Sequence, residues 1–179
     1  MSYKIKNGVL FLENGDTLVI PAMNDITGEN IILDEKVSPF VYENIDGDFE
    51  ISAKFIPEHM SFTDSFGIYV VNGDCCGYVK MEAKSGRNCI KSGMVDVIEM
   101  ENPKVIVDGA EIYLKIIKRE NHYTTFFSKD GKQYIPCGEF TLVLNDIEAG
   151  FLVSSFQGSK FQVEVQDICK HVKANKNVA

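Results

Sequence analysis

The chain has 179 residues, 45% apolar and 11% aromatic, enough to bury the core of one ordinary domain and outside the composition of disordered segments. Its formal net charge of −8 opposes a phosphate backbone and anionic membrane surfaces, so neither nucleic acid nor membrane is an expected partner. Twelve Phe and seven Tyr without a Trp favour sheet over helix, and omit the ring that stacks best on sugars and cations.

Residues 1–8 have neither the apolar core nor the small-residue cleavage site of a signal peptide, and no run approaches the ~20 apolar residues that cross a bilayer. Cys75, Cys76, Cys89, Cys137 and Cys169 are odd in number and lack framework spacing, so they read as reduced thiols of a cytoplasmic protein. No CxxC or Cys/His set supports zinc, and no cofactor is expected.

The first apolar runs, 9–12 and 17–20, flank Glu13-Asn14-Gly15-Asp16, and Asn-Gly between apolar runs predicts a β-hairpin. The pattern weakens over 21–39, where 24–30 reads as a surface loop before a short apolar run at 31–33. Alternation resumes with Phe49, Ile51, Ala53 and Phe55 on one face of a strand and Glu50, Ser52 and Lys54 on the other. Phe66, Ile68 and Val70 alternate with Gly67, Tyr69 and Val71. After the Asn72-Gly73-Asp74 turn, Val79, Met81 and Ala83 alternate with Tyr78, Lys80 and Glu82. Further strands are predicted over 94–100, 105–107, 112–118, 122–128, 133–137, 141–144, 150–155 and 161–166, with turns at Gly86, Asn102-Pro103, Asp108-Gly109, Asn121, Gly138 and Gly158-Ser159. Glu120-Asn121 and then Ser128-Lys129-Asp130-Gly131 join their flanking runs into a β-meander. About a dozen short strands without an amphipathic helix predict an all-β sandwich. Residues 1–169 are expected to form it as a single domain, and the basic residues 170–179 a flexible tail.

Four segments stand in a telling order: Gly47-Asp48-Phe49-Glu50-Ile51-Ser52-Ala53-Lys54-Phe55, Phe66-Gly67-Ile68-Tyr69-Val70, Gly77-Tyr78-Val79-Lys80-Met81-Glu82, and the meander from Tyr123 through Phe127-Ser128-Lys129-Asp130-Gly131-Lys132 to Tyr134. Ala149-Gly150-Phe151-Leu152-Val153 and Phe161-Gln162-Val163, running on to Asp167, close the series. Together they resemble a concanavalin A-like family of uncharacterised domains, named for a member linked to enolase regulation and related to C-terminal domains of some β-xylosidases. Tyr78 and Tyr134 stand where that family often has Trp, and 21–39 departs from its Trp-containing N-terminal segment. The resemblance implies a concanavalin A-like jelly-roll sandwich of two antiparallel sheets, the concave one offering a groove, in a fold class where sugar recognition is common.

If Val79, Met81 and Ala83 face the core, Tyr78, Lys80 and Glu82 face outward together, with Tyr69 on the strand before. If Leu114 and Ile116 are core, Lys115, Ile117 and Arg119 share an outer face. A patch of Tyr69, Tyr78, Lys80, Glu82, Lys115 and Arg119 suits carbohydrate, because rings pack on a sugar's CH face and charged groups bond its hydroxyls. Cross-strand charge pairing on a solvated face is the plainer use of the same residues. Met94-Val95-Asp96-Val97-Ile98-Glu99 nearly spells the Glu-x-Asp-x-x-Glu of laminarinases and lichenases, but Met94 holds the nucleophile's place and a thioether forms no glycosyl intermediate. The acids Asp96, Glu99, Glu101, Asp108 and Glu111 lack calcium-loop spacing. His59, His122 and His171 are far apart with no defensible nucleophile, and Cys75-Cys76 read as inert thiols rather than a redox-sensitive turn. The expectation is a non-catalytic binding module for a carbohydrate or similar polyhydroxylated ligand, with no metal. A protein-interaction or regulatory sandwich is the alternative, a glycoside hydrolase with displaced carboxylates comes third, and a homodimer is a candidate assembly.

Overall fold

A computed structural model of the chain describes residues 3–8, 11–13, 17–22, 38–58, 60–61, 64–95, 99–155 and 161–173, and among these there are strands and no helix. In chain order the strands are β1 (Lys4–Lys6), β2 (Phe11–Glu13), β3 (Thr17–Pro21), β4 (Phe40–Ile45), β5 (Asp48–Glu58), β6 (Ser65–Asn72), β7 (Cys75–Lys84) and β8 (Arg87–Val95). They continue with β9 (Glu99–Glu101), β10 (Val105–Val107), β11 (Ile112–Arg119), β12 (His122–Ser128), β13 (Ile135–Thr141), β14 (Ile147–Ser154) and β15 (Gln162–Lys173). Sheet A runs β1-β4-β14-β6-β7-β8-β10, with β9 also on β8; sheet B runs β13-β12-β11-β5-β15-β3-β2. Every pairing is antiparallel.

Period-two alternation puts one set of side chains between the sheets. Phe49, Ile51, Ala53 and Phe55 of β5 join Leu114 and Ile116 of β11 against Phe66, Ile68 and Val70 of β6 and Val79 and Met81 of β7, in one buried cluster. Phe55 of sheet B stacks on Phe66 of sheet A with ring centres 5.3 Å apart, and meets Phe151 edge-on at 5.8 Å. Each ring so buried contributes at most about 2–3 kcal/mol. The meander forms as its turns demand. Glu120 sits at φ 54° in a two-residue turn with Arg119 opposite His122. The Asp130 carboxylate accepts the Lys132 and Gln133 amides at 2.8 and 2.9 Å and the Ser128 hydroxyl at 2.9 Å. Gly131 then turns at φ 71°, where a side chain would strike the Tyr113 ring.

Several elements differ from the sequence reading. β4 carries apolar residues on both faces, Phe40 and Tyr42 against Val41 and Ile45, so alternation does not reveal it. β8 begins well before Met94 because its inward set, Asn88, Ile90, Ser92 and Met94, mixes polar with apolar. The predicted strand over 141–144 does not form; β13 ends at Thr141, although Leu142 and Leu144 are buried. Residues 170–173, expected in a flexible tail, continue β15 along β5, with Lys170 opposite Ile51 and Lys173 opposite Asp48. Backbone pairing holds them there whatever their polarity, and Lys170 forms an ion pair with Glu43 of β4, linking the sheets. The expected Asn14-Gly15 turn, the apolar run at 31–33, the turn at 158–159 and residues 174–179 lie outside the described residues; β2 and β3 do pair as a hairpin requires.

The connection between β5 and β6 is tied down by Asp64, which is fully buried. Its carboxylate accepts the Ser61 amide and hydroxyl at 2.7 and 2.9 Å and the Ser155 hydroxyl at 2.7 Å. No helix of the described residues is long and apolar enough to cross a membrane.

Candidate functional site

The residues that alternate with the core build the outer face of sheet A. Register places Tyr69 opposite Tyr78, Tyr78 opposite Gly93, and Lys80 opposite Lys91. On its other side Tyr69 lies opposite Gly150, which in turn lies opposite Tyr42. One half of this face is aromatic. Phe40 stacks on Tyr42 at 5.1 Å and 11°, and Tyr69 on Tyr78 at 5.6 Å and 29°, in a cluster with Leu152. Tyr69 and Tyr78 are only 2% and 3% exposed, so their rings are closed to solvent and serve as packing. The open stacking platform expected of these two tyrosines is not formed.

The other half is ionic. The Lys80 ammonium lies 5.1 Å from the centre of the Tyr78 ring and 4.0 Å from Glu82. Lys91, 7% exposed, reaches Glu82 at 2.9 Å and Glu101 of β9 at 3.3 Å, and Lys104 closes on Glu101 at 3.7 Å. Burial by itself pulls the Lys91 ammonium down, but Glu82 and Glu101 outweigh it and hold its pKa above the ordinary lysine range. Burial likewise pushes Glu101 up, but Lys91, with Lys104 and Lys80 behind it, holds the carboxyl below the usual range. Three ammonium groups and two carboxylates thus interlock, buried at Lys91 and exposed at Glu101 and Lys104. Such a set offers donors and acceptors to hydroxyl groups. Glu101, held toward its ionised form, is unsuited to the proton-donor role that glycoside hydrolysis requires. Met94 packs against the core rather than joining this patch; Asp96 and the Glu99 side chain lie outside the described residues.

Lys115 and Arg119 are on the far side of the molecule. Both project from the outer face of sheet B, because β11 belongs to that sheet and β7 to the other. Lys115 pairs with Glu50 at 2.9 Å and lies 3.9 Å from the centre of the Tyr134 ring. The Arg119 guanidinium donates to the Phe49 and Lys118 carbonyls. The six residues expected in one patch therefore divide four and two between opposite surfaces, with the core between them. Lys91 and Glu101 were absent from that expectation, yet the signal for Lys91 lay in the Gly86 turn: a two-residue hairpin at Ser85-Gly86 sets Lys84 opposite Arg87 and so Lys80 opposite Lys91.

A second feature lies at one end of the sandwich. The β4–β5, β11–β12 and β13–β14 connections border a half-open cavity of about 460 Å³, whose polar lining includes Lys118, Asn121 and Asn145 with the acids Asp46, Asp48, Glu120 and Asp146. Elsewhere the acids are dispersed, with Glu111 paired to Lys54 at 3.1 Å and Asp108 exposed. The five thiols form no disulfide.

No family model matches the chain, and no curated protein sequence does. Solved structures do match. A functionally unknown protein from Saccharomyces cerevisiae superposes with a TM-score of 0.80 at 14% identity, over 96% of each chain. A xylan β-1,4-xylosidase from Bacillus halodurans matches with a TM-score of 0.69 at 13% identity, over 86% of this chain, which spans 32% of that enzyme. A legume lectin-like domain from Entamoeba histolytica matches with a TM-score of 0.63 at 13% identity, over 96% of this chain and 90% of its own. At such identities the likeness shows the fold alone, an all-β jelly-roll sandwich of two antiparallel sheets. The narrower resemblance to a family linked to enolase regulation finds no support among these comparisons.

Proposed function

We propose that this chain is a non-catalytic binding module that takes a carbohydrate or similar polyhydroxylated ligand on the ionic half of the outer face of sheet A. The observation that carries the reading is the Lys91 bridge. On a merely solvated sheet face a lysine extends into water; here a nearly buried ammonium is fixed between Glu82 and Glu101, so the hydrogen-bonding groups are ordered before a ligand arrives. Lys80 and Glu82 contact the ligand with Lys91, Glu101 and Lys104, and buried Tyr69 and Tyr78 form the floor beside them. Lys115 and Arg119 take no part. Lectin-like and xylosidase-derived sandwiches share the fold, which supports the ligand class. Five unbridged thiols support a reducing compartment, the cytoplasm.

Calorimetric titration with xylotetraose, cellotetraose and mannotetraose tests this. At least one is expected to bind saturably, and Lys80→Met to weaken it about tenfold, the worth of one charged hydrogen bond. No binding by any of them at about 10 mM would overturn the reading.

The alternative is a protein-interaction sandwich, which could include self-association. It is favoured by Ile106 of β10, 59% exposed on the face that carries Glu82, and by Met100, 54% exposed on the edge strand β9 opposite Met94. Met100→Ser with Ile106→Ser, followed by capture from native lysate, separates the two: loss of a partner with saccharide binding intact identifies this second use.

A further inference from the structure

The cavity at the end of the sandwich is lined by one nearly buried ammonium, Lys118, and by four carboxylates, those of Asp46, Asp48, Glu120 and Asp146. Lys118 is 7% exposed and donates to the Gly47 carbonyl at 3.1 Å; among the described residues no carboxylate lies within ion-pair distance of it. An ammonium has three donors, which leaves two beyond the one given to the Gly47 carbonyl, at a residue that lines the cavity. Burying a charge without a partner is costly, and such a group is stabilised by whatever fills the space in front of it. The cavity, about 460 Å³, lies within the range of small-ligand sites, ~300–1,000 Å³.

The polarity of the walls is graded. Lys118 is nearly buried and Asp48 half-buried, its carboxylate accepting the Glu120 amide at 2.7 Å, while Asp46, Glu120, Asn121, Asn145 and Asp146 are exposed at the mouth. The mouth acids would not make a site alone, since no three of the described carboxylates converge as metal ligands do. The nearly buried ammonium facing the space is what points to a ligand.

We infer that this cavity is a second small-molecule site, separate from the face of sheet A, for a hydroxylated molecule bearing an amino group. A hydroxyl oxygen accepts from Lys118 inside, the Asn121 and Asn145 amides bond neighbouring hydroxyls, and the ammonium of the ligand meets Asp46, Glu120 and Asp146 at the mouth. An anionic ligand of the same size would meet four carboxylates, Asp48 among them, for one ammonium.

D-glucosamine, D-glucose and D-glucuronate share a size and differ in charge. Titrating the full chain with each, observed by ¹H–¹⁵N correlation spectra, is expected to give saturable shifts at the Gly47, Asn121 and Asp146 amides with glucosamine. Glucose should bind about twofold to fivefold more weakly, the worth of one exposed ion pair, and glucuronate not at all. Glucuronate binding as tightly as glucosamine, or no saturation by glucosamine at about 50 mM, overturns the inference. Lys118→Met should abolish the shifts; because a buried substitution can disturb the fold, Asp146→Asn is the second variant, at a position whose φ of 55° Asn adopts readily. It should weaken glucosamine and leave glucose unchanged, and equal weakening of both, or of neither, contradicts the role of the mouth. Lys80→Met should leave these shifts in place; their loss would show that the two sites are one.

Discussion

Lys80 of β7 and Lys91 of β8 lie directly opposite each other across an antiparallel pair, a position where like charges repel. Glu82, two residues along β7, reaches both ammonium groups, at 4.0 and 2.9 Å. Glu82 is therefore the carboxylate that joins the two opposed lysines, with Glu101 the second acid on Lys91. Glu82→Gln is expected to cost about 2–4 kcal/mol in urea unfolding, because it leaves Lys91 nearly buried with a single acid. Lys91→Met should cost less, since Glu82 keeps Lys80 and Glu101 keeps Lys104. The reverse order would show that Glu82 is not the keystone.

The same cluster sets two limbs of a pH profile. Glu101 is held below the ordinary carboxylate range, so its contribution is complete above the unfolded carboxylate pKa and is lost as pH falls through the lower folded value. Lys91 is held above the ordinary lysine range, so its contribution is complete below the unfolded lysine pKa and is lost as pH rises through the higher folded value. Lys91→Met should flatten both limbs relative to the parent chain in melting temperature against pH. Limbs of unchanged slope would assign the dependence to other groups.

Between the sheets, Thr125 Oγ lies 2.7 Å from Ser92 Oγ and 2.9 Å from the Gly138 carbonyl, with both side chains buried. The Asn102 amide and Cys137 thiol border the pair. Thr125→Val removes the central hydroxyl and is expected to cost about 1–3 kcal/mol, more than Ser92→Ala. Joined in one variant, the two should cost less than their sum by roughly 0.5 kcal/mol or more. Strict additivity in denaturant unfolding would deny that the hydroxyls act as a unit.

The β12–β13 turn rests on an exposed carboxylate. The Gln133 and Lys132 amides, with the Ser128 hydroxyl, pull Asp130 down to about 2. Its support is complete above the ordinary carboxylate range and is lost as pH falls through that value. The Lys132 and Gln133 amides should keep their chemical shifts down to about pH 3 and move below it, while Asp130→Ala should expose both to faster hydrogen exchange at neutral pH. Unaltered exchange in that variant would sink the assignment.

The sequence disclosed parity and concealed adjacency. Val79, Met81 and Ala83 against Tyr78, Lys80 and Glu82 could be sorted because a strand has only two faces, and burial of the first set agrees. That Lys115 sits across the core from Lys80 could not be read, because nothing in the alternation of β7 and β11 says which sheet each joins. Tyr69 and Tyr78 misled for a related reason: an outward direction on a strand does not mean exposure. Lys91 was hidden by Asn88 and Ser92, polar residues that face inward and erase the period of β8. The cavity around Lys118 is assembled from turns far apart in the chain, and it leaves no local trace.

Chemical-shift mapping of the chain with the tetrasaccharide that binds most tightly addresses the ligand face directly. Saturable shifts are expected at the amides of Lys80, Glu82, Lys91 and Glu101, with those of Lys115 and Arg119 unmoved. Shifts centred on Lys115 and Arg119 instead, or none that saturate, would contradict a binding face on sheet A.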